Sequence, residues 1–116
     1  MNRAKAEKSG RRGESLAALY LRACGWRIVG QRIKTPRGEV DLVARRGQVV
    51  AFVEVKYRRT VEKRDQSIDH WRLRRVAAAV EAIAHLYAHN GETVRIDVLM
   101  LAPWRWPRHI INAWQP

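Results

Sequence analysis

The segment from Gly38 to Arg59, GEVDLVARRGQVVAFVEVKYRR, decides the fold of this chain. Two apolar runs flank the Arg-Gly pair at 46–47, which is typical of a tight turn, so the pattern predicts a β-hairpin. The first strand carries Asp41, and the second carries Glu54 and Lys56 at the end of its apolar run. Charged side chains in an apolar hairpin are costly to bury and therefore indicate a function.

The position of the turn decides whether these charged side chains meet. The period of two along a strand places Glu54 and Lys56 on one face. A two-residue turn at 46–47 pairs Asp41 with Phe52, and Asp41 then shares that face as the diagonal neighbour of Glu54, about 7 to 8 Å away between backbones. A three-residue turn would move Asp41 to the opposite face.

Two carboxylates that converge repel each other unless one of them binds a proton or both bind a cation. Oxygen ligands favour a hard divalent ion, so Asp41 and Glu54 predict a site for Mg²⁺ or Mn²⁺. Lys56 beside them would orient or help to deprotonate an attacking water, or neutralise charge that develops on a phosphate. The structural alternative is a salt-bridged patch of these three side chains at a strand end.

The charge of the chain indicates a polyanionic partner. Its 116 residues, which fit a single domain, include 23 Lys and Arg against 11 Asp and Glu, and the formal net charge is +12. The positive charge is spread along the sequence, so nucleic acid is the first choice of partner. An anionic membrane surface and a basic protein kept in solution by its charge are the weaker alternatives.

A single cysteine, Cys24, excludes an internal disulfide and gives no indication of an oxidising compartment. The N-terminus lacks the apolar run of a signal peptide, and no window approaches the roughly 20 apolar residues of a membrane span. We therefore expect a cytoplasmic protein without a membrane partner. Cys24 has no evident histidine partner, which argues against nucleophilic catalysis by its thiol.

Residues 1–12 are basic and lack an apolar period, which predicts a flexible basic arm ahead of a single domain over 13–116. Helical spacing of apolar residues begins at Glu14, and Gly25 is placed to end that helix. Glu14 lies in the first turn, where the helix dipole favours a carboxylate, so a structural role suffices to explain it. The apolar positions are Leu16, Leu19, Tyr20 and Ala23.

A second amphipathic helix is the clearest periodic element. Its apolar positions are Leu73, Val76, Ala77, Val80, Ile83, Ala84 and Tyr87. Arg72, Arg74 and Arg75 cluster at its start, where the helix dipole disfavours cations; the cluster indicates phosphate contacts or, alternatively, an ordinary solvated face.

The rest of the pattern predicts an edge strand over 26–33, a loop over 34–38, a flexible loop from Thr60 to Ser67, a buried strand over 93–101 and a last strand over 109–114.

Two further groups of side chains have both a functional and a structural interpretation. Glu81, His85 and His89 share one helix stripe with a spacing that suits zinc ligands, although a solvated polar face is the simpler explanation. Trp104 and Trp106 would stack on nucleic-acid bases or, more simply, cover an edge of the core beside a proline.

The hairpin motifs and their flanks resemble a known signature. These motifs are Gly38-Glu39-Val40-Asp41-Leu42, Phe52-Val53-Glu54-Val55-Lys56 and Arg58, with Gly13-Glu14 upstream and Arg95-Ile96-Asp97-Val98 downstream. Together they resemble the YraN-like family, which consists of small predicted endonucleases of the restriction-endonuclease-like superfamily. The similarity extends over most of the chain, from Gly10 to Leu101.

The resemblance implies an α/β fold of the restriction-endonuclease-like type, with a mixed central sheet flanked by helices. It also implies that Asp41 and Glu54 are metal ligands and that Lys56 is the catalytic lysine. Related archaeal Holliday-junction resolvases use a glutamate from the first helix in the same site, so the resemblance adds Glu14 to the catalytic and metal-binding residues. The expected nucleic-acid contacts are Arg58, Arg72, Arg74 and Arg75.

We therefore expect a metal-dependent endonuclease that hydrolyses DNA phosphodiesters and selects branched or flapped structures over sequence. The alternative is a catalytically inactive nucleic-acid-binding module of the same fold. A third hypothesis is an interaction protein whose basic surface binds an acidic partner. Cleavage of both strands of a duplex raises the further hypothesis of a homodimer.

Overall fold

A mixed five-stranded sheet with two helices organises residues 3–60 and 69–114, which the computed structural model describes. In chain order the elements are α1 Arg3–Ala23, β1 Arg27–Thr35, β2 Gly38–Arg46, β3 Val49–Tyr57, α2 His70–Tyr87, β4 Thr93–Leu101 and β5 Arg108–Ile110. The strand order is β1-β2-β3-β4-β5, and only the β3 and β4 pair is parallel. The predicted α/β fold with a mixed sheet flanked by helices is confirmed, and it is consistent with the restriction-endonuclease-like fold.

Apolar side chains cover both faces of this sheet. Helix α2 packs on one face, where the α2-side core includes Val43, Val50, Phe52, Leu73, Val76, Val80 and Met100. Helix α1 packs on the other face, where the α1-side core includes Ala17, Leu21, Trp26, Leu42, Ala51, Val53 and Leu99. Strand β3 lies in the middle of the sheet and is buried on both faces, which explains its nearly continuous apolar sequence.

Helix α1 begins well before the predicted start at Glu14. The backbone of residues 3–12 is helical, whereas the sequence predicted a flexible arm over residues 1–12. Alanine, lysine, glutamate and arginine favour helices by themselves, and the lack of an apolar period was therefore weak evidence against a helix.

The end of α1 agrees with the prediction. Gly25 has a φ of 91°, and its N–H donates to the Arg22 carbonyl at 3.0 Å. The Trp26 N–H donates to the Leu21 carbonyl at 2.9 Å, which completes the pair of hydrogen bonds found in a Schellman motif. Glycine is favoured here because it adopts a positive φ without steric cost.

The hairpin between β2 and β3 turns one residue later than predicted. Its turn residues are Gly47 and Gln48, and Arg46 pairs with Val49. Gly47 has a φ of 59°. Two-residue hairpin turns need a positive φ at their first central position, which glycine adopts readily. The glycine was correctly read as part of the turn, but it occupies the first position and not the second.

The displaced turn changes the register without changing the faces. Phe52 pairs with Val43, whereas the predicted register paired it with Asp41, so that register is wrong by two residues. A shift by two preserves the face of every side chain. Asp41 lies one residue beyond Leu42, the last ladder residue of β2, and lines one cavity together with Glu54.

The connection between β1 and β2 is shorter than the loop predicted over 34–38. Strand β1 extends to Thr35, whose Oγ1 accepts hydrogen bonds from the N–H groups of Arg37 and Gly38, both at 3.1 Å. A Cβ atom at Gly38 would lie 2.6 Å from the Arg75 carbonyl oxygen of α2. Glycine is therefore needed where the start of β2 touches this helix.

The C-terminal elements follow the predicted order with one change in length. The buried strand predicted over 93–101 is confirmed as β4, whereas β5 is a three-residue strand at Arg108–Ile110, shorter than the strand predicted over 109–114. The flexible loop predicted from Thr60 to Ser67 lies outside the described residues beyond Thr60. Within the described ranges, no helix has the length and apolar character needed to cross a membrane.

Asp97 on β4 is fully buried and ties the C-terminal segment to the sheet. Its carboxylate accepts hydrogen bonds from Arg95 Nε at 3.1 Å and from the Asn112 backbone N–H at 2.9 Å, and it lies 2.8 Å from His109 Nε2. Burial alone would raise the pKa of Asp97, but the hydrogen bonds from His109, Arg95 and Asn112 outweigh burial and lower it. The carboxylate is thus a structural anchor for β5 and the turn after it.

We expect Asp97→Asn to lower the free energy of unfolding by about 3 kcal/mol, because it leaves the half-buried Arg95 guanidinium without its counterion. Urea denaturation at neutral pH measures the change. The control is Glu81→Gln, which removes an exposed carboxylate 3.6 Å from Arg37 and is expected to change the same free energy by less than about 0.5 kcal/mol. Equal stabilities of the two variants would show that Asp97 is not an anchor.

Candidate functional site

Strands β2 and β3 separate beyond Leu42 and Val53, the last pair of their ladder. At this point Asp41 Oδ2 accepts a hydrogen bond from the Val55 N–H at 2.8 Å. The carboxylate thereby satisfies a strand donor that the ladder no longer reaches. Strict alternation would place Val40 on the α1 side of the sheet with Leu42, but Val40 packs in the α2-side core. The alternation of side chains between the two faces is therefore interrupted at Asp41.

Glu54 and Lys56 continue the α2-facing row of β3, and each is only 4% exposed. Lys56 Nζ lies 3.3 Å from Glu54 Oε1. Arg72 Nε, which reaches down from α2, donates to the same oxygen at 3.0 Å. Because charges in a central strand are removed from water, they depend on such partners.

A cavity of about 500 Å³ opens in front of the two carboxylates. Asp41 and Glu54 lie on its sheet side, and Trp71, Arg72 and Arg75 line its helix side. The cavity thus combines acidic groups on one wall with cationic and aromatic groups on the other. This combination suits a ligand that carries both a phosphate group and a metal ion.

The surroundings of Asp41 disfavour its ionised form. Burial raises the pKa of Asp41 from 3.8 to about 6, and the charges of Glu14 and Glu54 act in the same direction. The hydrogen bond from Val55 and the charge of Arg72 lower this pKa but do not compensate for burial. A carboxyl group with a raised pKa that lies in a cleft is characteristic of functional sites.

The pKa of Lys56 is also displaced. Burial lowers it below the ordinary value for lysine, while the charge of Glu54 opposes this effect, and the charges of Arg72 and Arg58 add to it. The position of the ammonium group is set by the ion pair with Glu54. Lys56 is therefore tied to the site through Glu54.

Glu14, on α1, is electrostatically coupled to the site but is paired elsewhere. Its charge contributes to the raised pKa of Asp41, while its carboxylate accepts a hydrogen bond from Arg32 Nε. Arg32 lies in β1 with a φ of 50°, a conformation that is uncommon outside glycine. In the part of the chain that the structure describes, no three His, Cys, Asp or Glu side chains are arranged to hold a metal ion. The structure thus brings Asp41 and Glu54 together and leaves Glu14 with Arg32.

The four arginines expected to contact nucleic acid lie in different surroundings. Arg72 and Arg75 line the cavity. The Arg74 guanidinium lies 5.9 Å from the centroid of the Trp71 ring. Arg58 follows β3, and its Nη1 donates to the carbonyl of the preceding residue at 2.9 Å. Only two of the four therefore face the carboxylates.

The other side chains singled out from the sequence lie apart from this cavity. Glu81 and His85 are exposed on α2, as expected for a solvated face, and His89 is exposed beyond the end of that helix. Trp104 is 99% exposed and Trp106 is 87% exposed. The expectation that these two tryptophans cover an edge of the core is therefore wrong.

Trp71 and Arg32 are the residues of this region that the sequence reasoning missed. Trp71 falls outside the apolar period of α2 and directly precedes Arg72, and that mismatch is a signal present in the sequence. Arg32 carries no comparable signal, because only its backbone conformation and its ion pair distinguish it.

Comparison with known proteins finds one family whose model spans these residues. The model of a family described as "Uncharacterised protein family UPF0102" matches residues 13–101, which include the four predicted catalytic residues. A UPF0102 protein of Erythrobacter litoralis is 66% identical over 116 residues, which is all of both chains. The UPF0102 protein of Sphingopyxis alaskensis is 58% identical over all of both chains. That of Rhizorhabdus wittichii is 57% identical over 97% of this chain and 95% of the relative.

We expect Asp41→Asn to stabilise the protein at pH 8 by roughly 1 to 3 kcal/mol, since a shift of one pKa unit corresponds to about 1.4 kcal/mol. The folded-state pKa of about 6 exceeds the ordinary 3.8, so the folded parent loses stability as the pH rises through this interval. Asparagine keeps an oxygen that accepts the Val55 N–H. The gain is therefore expected to be small at pH 4 and complete above pH 7.

Urea denaturation of parent and variant at pH 4, 6 and 8 measures this gain. The exposed-site variant Glu81→Gln serves as the control and is expected to show no such trend. Destabilisation by Asp41→Asn at pH 8 would contradict the prediction.

Proposed function

This chain belongs to the uncharacterised protein family UPF0102, and we propose that it is a metal-dependent nuclease that hydrolyses phosphodiester bonds in DNA. One observation carries this proposal. Asp41 and Glu54 line a cavity whose opposite wall presents Arg72 and Arg75, and the buried ammonium group of Lys56 pairs with Glu54. Acidic oxygen ligands, a fixed ammonium group and arginines are the groups that metal-assisted phosphodiester hydrolysis needs.

The carboxylates suit a hard divalent ion such as Mg²⁺ or Mn²⁺. The bonds described above use Asp41 Oδ2 and Glu54 Oε1, so the second oxygen of each carboxylate is the natural candidate to bind the ion. Mg²⁺ is commonly held by one or two protein carboxylates together with waters and substrate phosphates. Asp41 and Glu54 therefore form a sufficient set, and Glu14 is a third candidate that would first have to leave Arg32.

The residues of the chain would divide the chemical work. A bound divalent ion supplies Lewis-acid polarisation of the phosphate. Lys56 orients the attacking water or neutralises charge that develops on the phosphate, and its burial holds it in place for that role. In the reaction, the attacking water loses a proton to solvent and its oxygen forms a bond to phosphorus, the phosphodiester P–O bond breaks, and the leaving oxygen takes a proton from solvent.

The basic surface supports DNA as the substrate. The net charge of +12 favours a polyanion, and Arg72 and Arg75 would contact phosphates at the cavity itself. Phosphate contacts position a nucleic acid without reading its sequence. We therefore propose recognition of DNA structure, such as branched or flapped ends, in preference to recognition of sequence.

A nucleic-acid-binding module without turnover is the second candidate. The observation that favours it is that Glu54 already pairs with two cations, Lys56 at 3.3 Å and Arg72 at 3.0 Å. These pairs neutralise the carboxylate without a metal ion. If they persist when nucleic acid is bound, the site holds the backbone and breaks no bond.

Cleavage assays with site variants decide between the two candidates. We expect the parent protein to cut at least one of supercoiled, single-stranded or four-way-junction DNA in Mg²⁺ or Mn²⁺, and to be inactive with chelator. Asp41→Asn, Glu54→Gln and Lys56→Ala are each expected to reduce the rate by about 100-fold or more, because each removes a group that acts at the reacting phosphate. Gel electrophoresis of the products measures the rate.

The control for these assays is Glu81→Gln, purified in the same way, since it changes a carboxylate on the exposed face of α2. Cleavage by the site variants at the parental rate would indicate a contaminating nuclease and contradict the assignment. Salt-dependent binding without cleavage of any substrate would favour the binding module.

We expect Arg75→Gln to weaken binding to all DNA substrates to a similar extent and to reduce the slope of log affinity against log salt by about 1, since one phosphate contact is lost. Fluorescence anisotropy at several salt concentrations with chelator measures the slope. Arg22→Gln, which removes an exposed arginine from the last turn of α1, is the matched control. An equal effect of both substitutions would indicate diffuse attraction in place of a contact at the cavity.

A further inference from the structure

Trp71 is an exposed tryptophan on the helix wall of the cavity, 64% exposed to solvent. Its position is fixed by the start of α2, because its backbone N–H donates to Oδ1 of the N-cap residue Asp69 at 2.9 Å. The indole ring is therefore held at the mouth of the cavity by a capped first turn and not by a loop.

Packing does not account for this tryptophan. Helix α2 directs Leu73, Val76 and Val80 into the core, and Trp71 lies off that face. Trp26 provides the contrast, because it is 4% exposed and packs in the α1-side core. A large aromatic surface left in solvent beside a cavity indicates a binding surface.

The groups around Trp71 narrow the class of ligand. Arg72 and Arg75 line the same cavity, and the Arg74 guanidinium lies 5.9 Å from the Trp71 ring centroid. A planar apolar face among cations suits a ligand that alternates planar bases with phosphates. Stacking of this kind is how proteins bind single-stranded nucleic acid.

We propose that Trp71 stacks on an unpaired base next to the phosphate that is cleaved, so that the substrates are DNAs with a single-stranded segment at the cleavage site. The reference to a cleaved phosphate rests on the proposed nuclease function, whereas the stacking requires binding alone. In a continuous duplex both faces of an internal base are stacked on its neighbours, so the indole has no base face to meet. Trp71 is thus the residue that would distinguish flaps, forks and single strands from intact duplex.

Binding without turnover tests this inference. Fluorescence anisotropy in chelator compares a single strand, its duplex and a fork that contains both, for the parent protein and for Trp71→Ala, Trp71→Phe and Trp104→Ala. Stacking contributes about 1 to 3 kcal/mol per base, so Trp71→Ala is expected to weaken single-strand binding by roughly 5- to 150-fold. Duplex binding is expected to change by less than about twofold, because phosphate contacts dominate it.

Two further measurements identify stacking as the cause. A single strand that carries 2-aminopurine is expected to lose fluorescence when it binds the parent or Trp71→Phe, and to keep it with Trp71→Ala. Trp104→Ala removes a tryptophan that is 99% exposed but does not line the cavity, and it is expected to bind all three DNAs like the parent. Thermal melting of each variant verifies that it is folded.

The outcomes separate this inference from the nuclease proposal. Equal weakening of single-strand and duplex binding by Trp71→Ala would overturn it, as would a parent that does not bind single strands. An effect of Trp104→Ala as large as that of Trp71→Ala would also overturn it. If Trp71→Ala loses single-strand binding while no DNA is cut in metal, the stacking inference holds and the nuclease proposal fails.

Discussion

The hydrogen bond from the Val55 N–H to Asp41 is the interaction on which the site depends. It stands where the ladder between β2 and β3 has ended, and it lets the two strands separate without leaving a buried donor unpaired. The separation creates the cavity, and the same bond holds one of its carboxylates in place. The Asp41 carboxylate thus takes the place of a backbone acceptor for the Val55 N–H, and the same group is a proposed ligand of the metal ion.

Burial makes the charges of β3 and the docking of α2 interdependent. Glu54 and Lys56 lie in a central strand, where an isolated ion would be expensive, and they pair with each other. Arg72 adds a cation from the first turns of α2, and Gly38 lets that helix approach β2 closely. The cavity wall that carries Arg75 and Trp71 is therefore positioned by the same helix that neutralises Glu54.

The sequence was sufficient to predict what depends on periodicity. Helix α2 and the central hairpin follow from spacing, and the paired residues of the hairpin kept their predicted faces because the register error was an even number of residues. The turn itself was misplaced because Arg46 and Gly47 resemble a turn as closely as Gly47 and the residue after it. Contacts between distant segments, such as Glu14 with Arg32, have no local pattern and could not be predicted.

The short strand β5 has a consequence for the behaviour of the chain outside its native state. It pairs with Val98, Leu99 and Met100 and so covers this part of the outer edge of β4. An uncovered, uncharged edge is a template for intermolecular β-pairing. Because Asp97 and the segment around His109 hold this cover in place, loss of that anchor would expose this part of the β4 edge. The three-residue strand thus occupies backbone groups of β4 that could otherwise pair with another chain.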